Sequence, residues 1–327
     1  MKRRDVTAVL ASVAIAGLHF AGTGALAQPA RPFVIGGLSP DPSEFTETYF
    51  SNPLREVMKT LGWEEGQQYT LLFLSNGGRN EGLAALARQL VARQVDVLAA
   101  FGDSAIRAAQ QATQTIPIAA IADDMVGSGL VASMARPGGN TTGVSILASE
   151  LDVKRLELLH ELAPQASRIG ALADPTTVST RPQLEAAAGR LGIDLIFFTA
   201  ENPAQITTAI EKIATARVGA LNVLASPILY AARSEIIVAT AHLRLPAIFQ
   251  APEVSYEGGL IAYGPPLSLC YRQLATLIVK ILKGAKPADL PVEQPVKVDL
   301  VINLKTAKAL DLMIPPTLLA RADEVIE

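Results

Sequence analysis

The sequence predicts an α/β protein with two doubly wound, Rossmann-like lobes and a central cleft. Short apolar or β-branched runs alternate with longer helical patterns, and this alternation starts again after a Pro/Gly-rich break at residues 136–140. Hydrophobic residues make up 50% of the chain, whereas aromatic residues make up only 5%. An apolar content dominated by Ala, Leu, Val and Ile is typical of parallel strands that helices bury on both faces.

The chain begins with the three-part layout of a cleavable secretory signal over residues 1–27. A basic start leads into an apolar run over residues 6–18, and a small-residue triplet precedes Gln28. We expect cleavage between Ala27 and Gln28 and a periplasmic mature protein. The apolar run is shorter than the ~20 residues that a membrane-spanning helix needs. An uncleaved anchor is the alternative.

Charge and cysteine content narrow the classes of function. Removal of residues 1–27 takes away three basic residues and one acidic residue, which lowers the net charge from −3 to about −5. This charge gives no electrostatic reason to expect nucleic acid as a partner. Cys270 is the only cysteine, so no disulfide forms within the chain and no lipid is attached to an N-terminal cysteine. We expect a monomer without stable membrane insertion after cleavage.

The first series of elements alternates strands with helices. We predict strands at 33–38, 69–74, 96–101 and 116–122, and helices at 44–61, 81–93 and 104–112. Strand, helix, strand at this spacing is typical of a parallel sheet.

The second series repeats the pattern and then departs from it. We predict strands at 168–173, 193–198, 219–224 and 246–249, and helices at 150–163, 178–191, 203–216 and 230–243. The tail adds a strand at 258–263, a helix at 267–283 and a strand at 296–302. Three hinge strands, near 143–148, 260–265 and 296–303, would then join the two lobes. The predicted lobes are 28–145 plus about 263–292, and 146–262 plus about 293–327.

Signals for catalysis are weak. The G-x-G-x-x-A pattern over residues 127–132 follows the fourth strand, whereas a dinucleotide fingerprint belongs at the first strand of its unit. A tight turn into a short helix is the simpler interpretation. His160 and His242 lie in helical patterns without a partner at metal-ligand spacing, and Cys270 lies on the apolar face of a helix. We expect no catalytic residue, no metal and no cofactor.

Signals for binding are stronger, because ligands of open parallel sheets bind at the carboxyl ends of the strands. Most strands end in small polar residues, and Asp123 and Asp124 share one end. The candidate ligand-binding residues are Ser39, Ser43, Ser75, Asp103, Ser104, Asp124, Thr176, Thr177, Ser226 and Gln250. Each also fits a helix-capping role. Tyr230 and Tyr263 either stack on an apolar part of the ligand or belong to the core.

Three long motifs carry a resemblance to a known family. They are Gly-Ser-Gly-Leu-Val-Ala-Ser-Met-Ala-Arg-Pro-Gly-Gly-Asn-Thr-Thr-Gly at 127–143, Lys-Arg-Leu-Glu-Leu-Leu-His-Glu-Leu-Ala-Pro at 154–164, and the stretch from 281 to 316 that contains Leu-Val-Ile-Asn-Leu-Lys-Thr-Ala-Lys-Ala-Leu. The chain resembles the ABC-transporter substrate-binding proteins that include tryptophan/tyrosine-binding members. The resemblance implies a type I periplasmic-binding-protein fold, a small-molecule ligand, and an ABC permease and ATPase as partners.

The sequence departs from its relatives at two strand ends. Met125 replaces the usual Pro after Asp124, and Asp103 replaces a usually neutral residue after Gly102. The carboxylate of Asp103 favours a ligand amine. The resemblance leaves the ligand open between an amino acid and another aromatic compound. The alternatives to import are a ligand-sensing subunit for a membrane receptor, which would use the same cleft, and an exported oxidoreductase or hydrolase.

Overall fold

Two β-sheets, each covered by helices, form the described part of the chain. A computed structural model describes residues 31–40, 47–77, 79, 81–146, 148–202 and 204–327. At positions 148, 149, 176, 178 and 179 it describes the backbone alone. The predicted signal at residues 1–27 and the candidate residue Ser43 lie outside the described residues.

The first sheet is built from parallel strands that are buried on both faces. Its strands are β1 (Phe33–Ser39), β2 (Tyr69–Ser75), β3 (Val97–Phe101), β4 (Ile118–Ala122) and β5 (Thr141–Ser145). They lie in the order β2-β1-β3-β4-β5. Alternate residues of β3 face opposite sides, so that Val97 and Ala99 join one buried cluster while Leu98 and Ala100 join another.

The second sheet is mixed. Its strands are β6 (Arg168–Ala173), β7 (Asp194–Thr199), β8 (Ala220–Val223), β9 (Ala247–Phe249), β10 (Ile261–Gly264), β11 (Asp299–Asn303) and β12 (Glu324–Ile326). They lie in the order β12-β11-β10-β9-β8-β6-β7. Strand β11 runs antiparallel to β10, and the other neighbouring strands are parallel.

Helices follow most strands. They are α1 (Asn52–Thr60), α2 (Leu83–Ala92), α3 (Asp103–Ala112), α4 (Ala148–Leu162), α5 (Arg181–Leu191), α6 (Ala204–Ala216), α7 (Pro227–Ala231), α8 (Arg233–His242), α9 (Pro252–Tyr256), α10 (Leu267–Leu282), α11 (Leu304–Ala309) and α12 (Pro316–Leu319). A π-helical turn, Glu47–Ser51, precedes α1, and 3₁₀ turns occupy Pro175–Thr180 and Pro287–Asp289.

The chain crosses between the sheets in three places within the described residues. It passes from β5 to α4, from β10 to α10, and back to β11. Helix α10 packs on the first sheet, where Leu274 and Ile278 join the cluster that contains Val97. The returning segment pairs with β5, since Ser145 N donates to Glu293 O at 2.9 Å. We call residues 31–145 plus 267–293 the first lobe, and residues 148–264 plus 299–327 the second lobe.

Most predicted elements are confirmed to within a few residues, and two predicted helices are divided. The predicted helix over 44–61 is the π-helical turn followed by α1, which has Pro53 in its first turn. The predicted helix over 230–243 is α7 and α8. Ser226 caps α7 and Pro227 begins it, so the helical region starts earlier than predicted.

Other differences lie at short elements. The pattern over residues 127–132 forms a turn, and no helix follows it within residues 130–140. The predicted entry into a short helix is therefore wrong. The short elements α9, α11, α12 and β12 were not predicted, because runs of three to six residues carry too little periodicity to identify.

Candidate functional site

A cavity lies between the two lobes, at the carboxyl ends of strands from both sheets. It encloses about 600 Å³ of space that protein atoms do not fill, part of it open to solvent. Its first-lobe wall includes Phe101, Ile121, Asp123 and Tyr271. Its second-lobe wall includes Ala225, Ser226, Pro227, Tyr230 and Gln250. A ligand in this cavity would contact both lobes.

The first-lobe wall presents a fixed aromatic surface. The ring centroid of Phe101 lies 5.6 Å from that of Tyr271 and 4.9 Å from that of Phe50. Phe73 stacks on the same ring at 5.8 Å. Because this cluster is buried in the lobe, the faces of Phe101 and Tyr271 that reach the cavity are held in place. Such a surface suits an apolar or aromatic ligand group.

Asp123 places a carboxyl group in this largely apolar cavity. Burial raises the pKa of Asp123 well above its usual range, and the carboxylates of Asp103, Asp152 and Asp174 raise it further. The guanidinium of Arg155 opposes the shift. Three neighbouring carboxylates and one guanidinium therefore act on Asp123.

A smaller cavity continues the first one toward the start of helix α3. It encloses about 300 Å³, again partly open to solvent, and both cavities include Phe101, Gly102, Asp123 and Pro227 in their walls. Asp103, Ser104 and Asp174 line only the smaller cavity. The carboxylate-bearing residues of the cleft therefore come from both lobes.

A hydrogen-bond network fixes the loop after β8. The Ser226 hydroxyl donates to Asp174 Oδ2 at 2.7 Å and accepts from Leu229 N at 3.2 Å. The side-chain amide of Gln250 makes two hydrogen bonds to the backbone of Ser226. Its Oε1 accepts from Ser226 N at 2.6 Å, and its Nε2 donates to Ser226 O at 3.1 Å. Ser226 and Gln250 thus line the cavity and are hydrogen-bonded to each other.

Tyr49 and Tyr230 join the lobes beside the cavity. Their hydroxyl oxygens lie 3.2 Å apart, and their rings meet edge to face. The guanidinium of Arg233 lies 4.6 Å from the centroid of the Tyr230 ring and pairs with Glu257. The Tyr230 ring is therefore held from both sides.

A buried ion pair lies beneath the cavity. Asp152 and Arg155, both on α4, form a salt bridge at 0% and 1% side-chain exposure. Arg155 Nη1 donates to Tyr263 O at 2.8 Å, and Asp152 Oδ1 accepts from Ala225 N at 3.3 Å. The pair thus links helix α4 to the hinge strand β10 and to the cavity wall.

The structure places five candidate residues along the two cavities: Asp103, Ser104, Ser226, Tyr230 and Gln250. Only the backbone of Thr176 is described, so nothing follows for its side chain. Whether these residues contact a ligand stays a prediction.

The other described candidates lie away from the cavity walls. Ser39 and Ser75 pair in register at the ends of β1 and β2. Asp124 Oδ1 accepts from the backbone N–H of its turn, and the Thr177 hydroxyl donates to the carbonyl of residue 174. Tyr263 packs against the core of the second lobe. In this conformation the capping and core roles account for their positions.

Several wall residues were absent from the predicted set. The predicted set contains Asp124 and not its neighbour Asp123, which shares the same strand end. Phe101 is the last residue of a predicted strand, and that position is a usable signal. Tyr271 lies four residues after Leu267, on the same face of α10. The packing of α10 against the first sheet brings that face to the cavity.

The described residues give little support for metal binding, thiol chemistry or a membrane-spanning helix. No group of three or more His, Cys, Asp or Glu side chains is arranged to hold a metal ion there. Cys270 is buried, and burial raises its pKa to about 12, which disfavours the reactive thiolate. Within the same residues, no helix is both long enough and apolar enough to cross a membrane.

Comparisons with known proteins cover most of the chain. A family model described as ABC transporter substrate binding protein matches residues 50–326. A tyrosine-binding protein of Clostridioides difficile (strain R20291) is 27% identical over 270 residues, which is 79% of this chain and 75% of the relative.

Solved structures share the fold. A conserved domain protein from Vibrio cholerae O1 biovar eltor has a TM-score of 0.83 at 28% identity, with 90% of this chain and 100% of that one covered. An ABC domain from Streptococcus pneumoniae, in complex with L-Trp, has a TM-score of 0.79 at 24% identity and the same coverage. The likeness confirms the predicted two-lobed architecture.

Proposed function

Because the chain belongs to the family of ABC transporter substrate-binding proteins, we propose that it captures a small organic solute between its two lobes for an ABC importer. The observation that carries this proposal is the cavity whose walls come from both lobes. A ligand that touches both walls stabilises the closed arrangement, which is how hinged binding proteins retain a solute.

The composition of the walls supports an amino acid or another aromatic compound as ligand. Phe101, Tyr230 and Tyr271 supply aromatic surface, while Asp123 supplies an ionisable carboxyl group. One relative is described as tyrosine-binding, and one structural neighbour holds L-Trp. A cavity with few polar groups in an apolar wall fits a ligand that is mostly apolar.

We propose an ABC permease and ATPase as partners. Residues 1–27 would direct export, with cleavage after Ala27, and the mature protein would act as a periplasmic monomer without catalytic activity. Asp103, Ser104, Ser226, Tyr230 and Gln250 are the candidate residues best placed to contact or shape the bound ligand. The two lobes would close as units about the three crossings.

A thermal-shift screen tests capture directly. The purified protein is unfolded and refolded to remove any carried-over ligand, and its native state is verified by circular dichroism. It is then screened against amino acids, aromatic amines, aromatic acids, sugars and nucleosides. A compound that binds only the native state should stabilise it by about 2.7 kcal/mol at a hundredfold excess over Kd.

Two tyrosine variants locate the binding site. Tyr230→Ala removes a cavity wall, whereas Tyr256→Ala changes a ring that is 54% exposed and lies outside the cavity lining. We expect the ligand-induced shift to fall in the first variant and to persist in the second. A natively refolded protein that responds to no compound class, or equal shifts in both variants, would contradict capture in this cavity.

A further inference from the structure

The charges around the cleft are unequal in sign. Asp103 and Asp123 from the first lobe and Asp174 from the second line the two cavities. No Lys, Arg or His is among the described residues that line either one. A binding site for a zwitterion needs groups of both signs or a set of donors for the ligand carboxylate. The described lining supplies carboxyl groups and neutral hydroxyl groups, but no cation.

Asp123 is the carboxylate available to a ligand. It makes no hydrogen bond or ion pair with any described residue, although it lines both cavities. Asp174, by contrast, accepts from Ser226 Oγ and from the backbone N–H of Thr177. The raised pKa of Asp123 agrees with this geometry, because a buried carboxylate without a cationic partner is unfavourable. A cation placed beside Asp123 would remove that penalty.

Arg155 does not supply this cation. It lies near enough to Asp123 to oppose the rise in its pKa. However, its Nη2 is bound to Asp152 and its Nη1 to the carbonyl of Tyr263. The guanidinium is buried beneath the cavity and is absent from its lining.

Two positions that could attract a ligand carboxylate are unfavourable for it. Helix α3 points its N-terminus at the smaller cavity, where backbone N–H groups and the helix dipole favour an anion. Its first residue is Asp103, which lines the same cavity and adds a carboxylate beside that N-terminus. On the opposite wall, the N–H of Ser226 already donates to Gln250 Oε1. A second carboxylate would meet like charge and engaged donors.

We propose that the cavity takes an organic amine with an aromatic or apolar body and no carboxylate, with Asp123 as the counter-ion of the ammonium group. This inference rests on the proposed function and narrows its substrate class. The aromatic wall of Phe101 and Tyr271 takes the apolar body. The amine differs from an amino acid by lacking the carboxylate, for which the described lining offers no cation.

Three compounds with one ring separate the contributions of the two charges. Tyramine carries only the amine, tyrosine carries both groups, and 3-(4-hydroxyphenyl)propionate carries only the carboxylate. Tryptamine, tryptophan and indole-3-propionate form a matched second set. Isothermal titration calorimetry on the refolded protein at about pH 7 should show each amine binding at least about tenfold more tightly than its amino acid, and the acid most weakly.

Two Asp→Asn variants test the counter-ion. Asp123→Asn should weaken amine binding by at least about tenfold, because the ammonium loses its charge partner. Asp311→Asn is the matched control. It removes the same charge at an exposed residue outside the cavity lining, and its positive φ of 56° suits Asn. It should leave binding unchanged.

The outcomes separate this inference from the proposed function. If an amino acid or an acid binds more tightly than the amine with the same ring, the inference is overturned and capture remains supported. The same holds if Asp123→Asn binds the amine with full affinity. If neither set of three compounds binds, the charged groups of the compound with the largest thermal shift decide whether the inference stands. An amine without a carboxylate supports the inference, and any compound with a carboxylate or without an amine overturns it. A protein that binds no compound at all contradicts the proposed function itself.

Discussion

The hydroxyl groups of Tyr49 in the first lobe and Tyr230 in the second lie 3.2 Å apart across the cleft, and their ring centroids are 5.9 Å apart. Tyr230 also lines the cavity. A contact between the lobes thus shares a residue with the wall that would hold the ligand. Closure and ligand binding are therefore expected to stabilise each other.

Removing the hydroxyl of Tyr49 should weaken ligand binding without touching the ligand. Tyr49→Phe removes one hydrogen bond between the lobes, worth about 1 kcal/mol, so Kd should rise about fivefold. Calorimetry with the best compound from the screen measures the change. Tyr256→Phe is the control, because its hydroxyl bonds to Glu324 at the surface. Equal affinities in the two variants would show that the Tyr49 contact does not stabilise the liganded state.

The buried pair Asp152–Arg155 should be important for stability. Arg155→Met leaves the Asp152 carboxylate buried without its partner, which should lower the free energy of unfolding by about 3–5 kcal/mol. Lys154→Met breaks the neighbouring pair with Glu157, whose side chains are 44% and 41% exposed, and should cost less than about 1 kcal/mol. Urea denaturation of both variants measures the difference. Similar losses would mean that burial does not distinguish the two pairs.

The sequence predicted the sheets better than it predicted the cavity. Strands such as β6 combine apolar runs with polar ends, so their bounds were predictable from the sequence alone. The choice of Asp124 over Asp123 depended on the local path of the backbone after β4, which periodicity does not define. The Tyr49–Tyr230 contact joins residues 181 positions apart, and only the packing of the two lobes brings them together.

Gly264 should not tolerate a side chain. A Cβ at this position in β10 would lie 1.8 Å from the carbonyl oxygen of Gln250, whereas a Cβ at Gly189 in α5 would meet no atom within 4 Å. Gly264→Ala should therefore destabilise the protein by more than about 2 kcal/mol. Gly189→Ala should stabilise it by about 0.5–1 kcal/mol through helix propensity. Thermal denaturation compares them, and an unchanged Tm for Gly264→Ala would contradict the described backbone contact.

The side chain of Asp123 should contribute less to the stability of the unliganded protein at neutral pH than at acidic pH. Its folded pKa is raised by burial and by Asp103, Asp152 and Asp174, against Arg155, whereas its unfolded pKa is about 3.9. The folded state therefore favours the protonated acid. This contribution is fully present below about pH 4 and is lost as pH rises through the raised pKa.

Asp123→Asn exposes this dependence. The variant and the natural protein should have similar Tm values near pH 4, and the variant should melt about 2 °C higher at about pH 7. Differential scanning calorimetry of refolded, unliganded samples gives both values. For Asp311→Asn, at an exposed position, the difference in Tm from the natural protein should not increase between the two pH values. A constant or reversed difference for Asp123→Asn would contradict the burial of this carboxylate.

The most direct test of the account is a crystal structure of the refolded protein with the compound that gives the largest thermal shift. We predict density for one ligand molecule between Phe101 and Tyr230, in contact with both lobes and with its charged group beside Asp123. Density for the ligand at another place, with the cleft between the lobes empty, would contradict the claim that the protein captures a solute there.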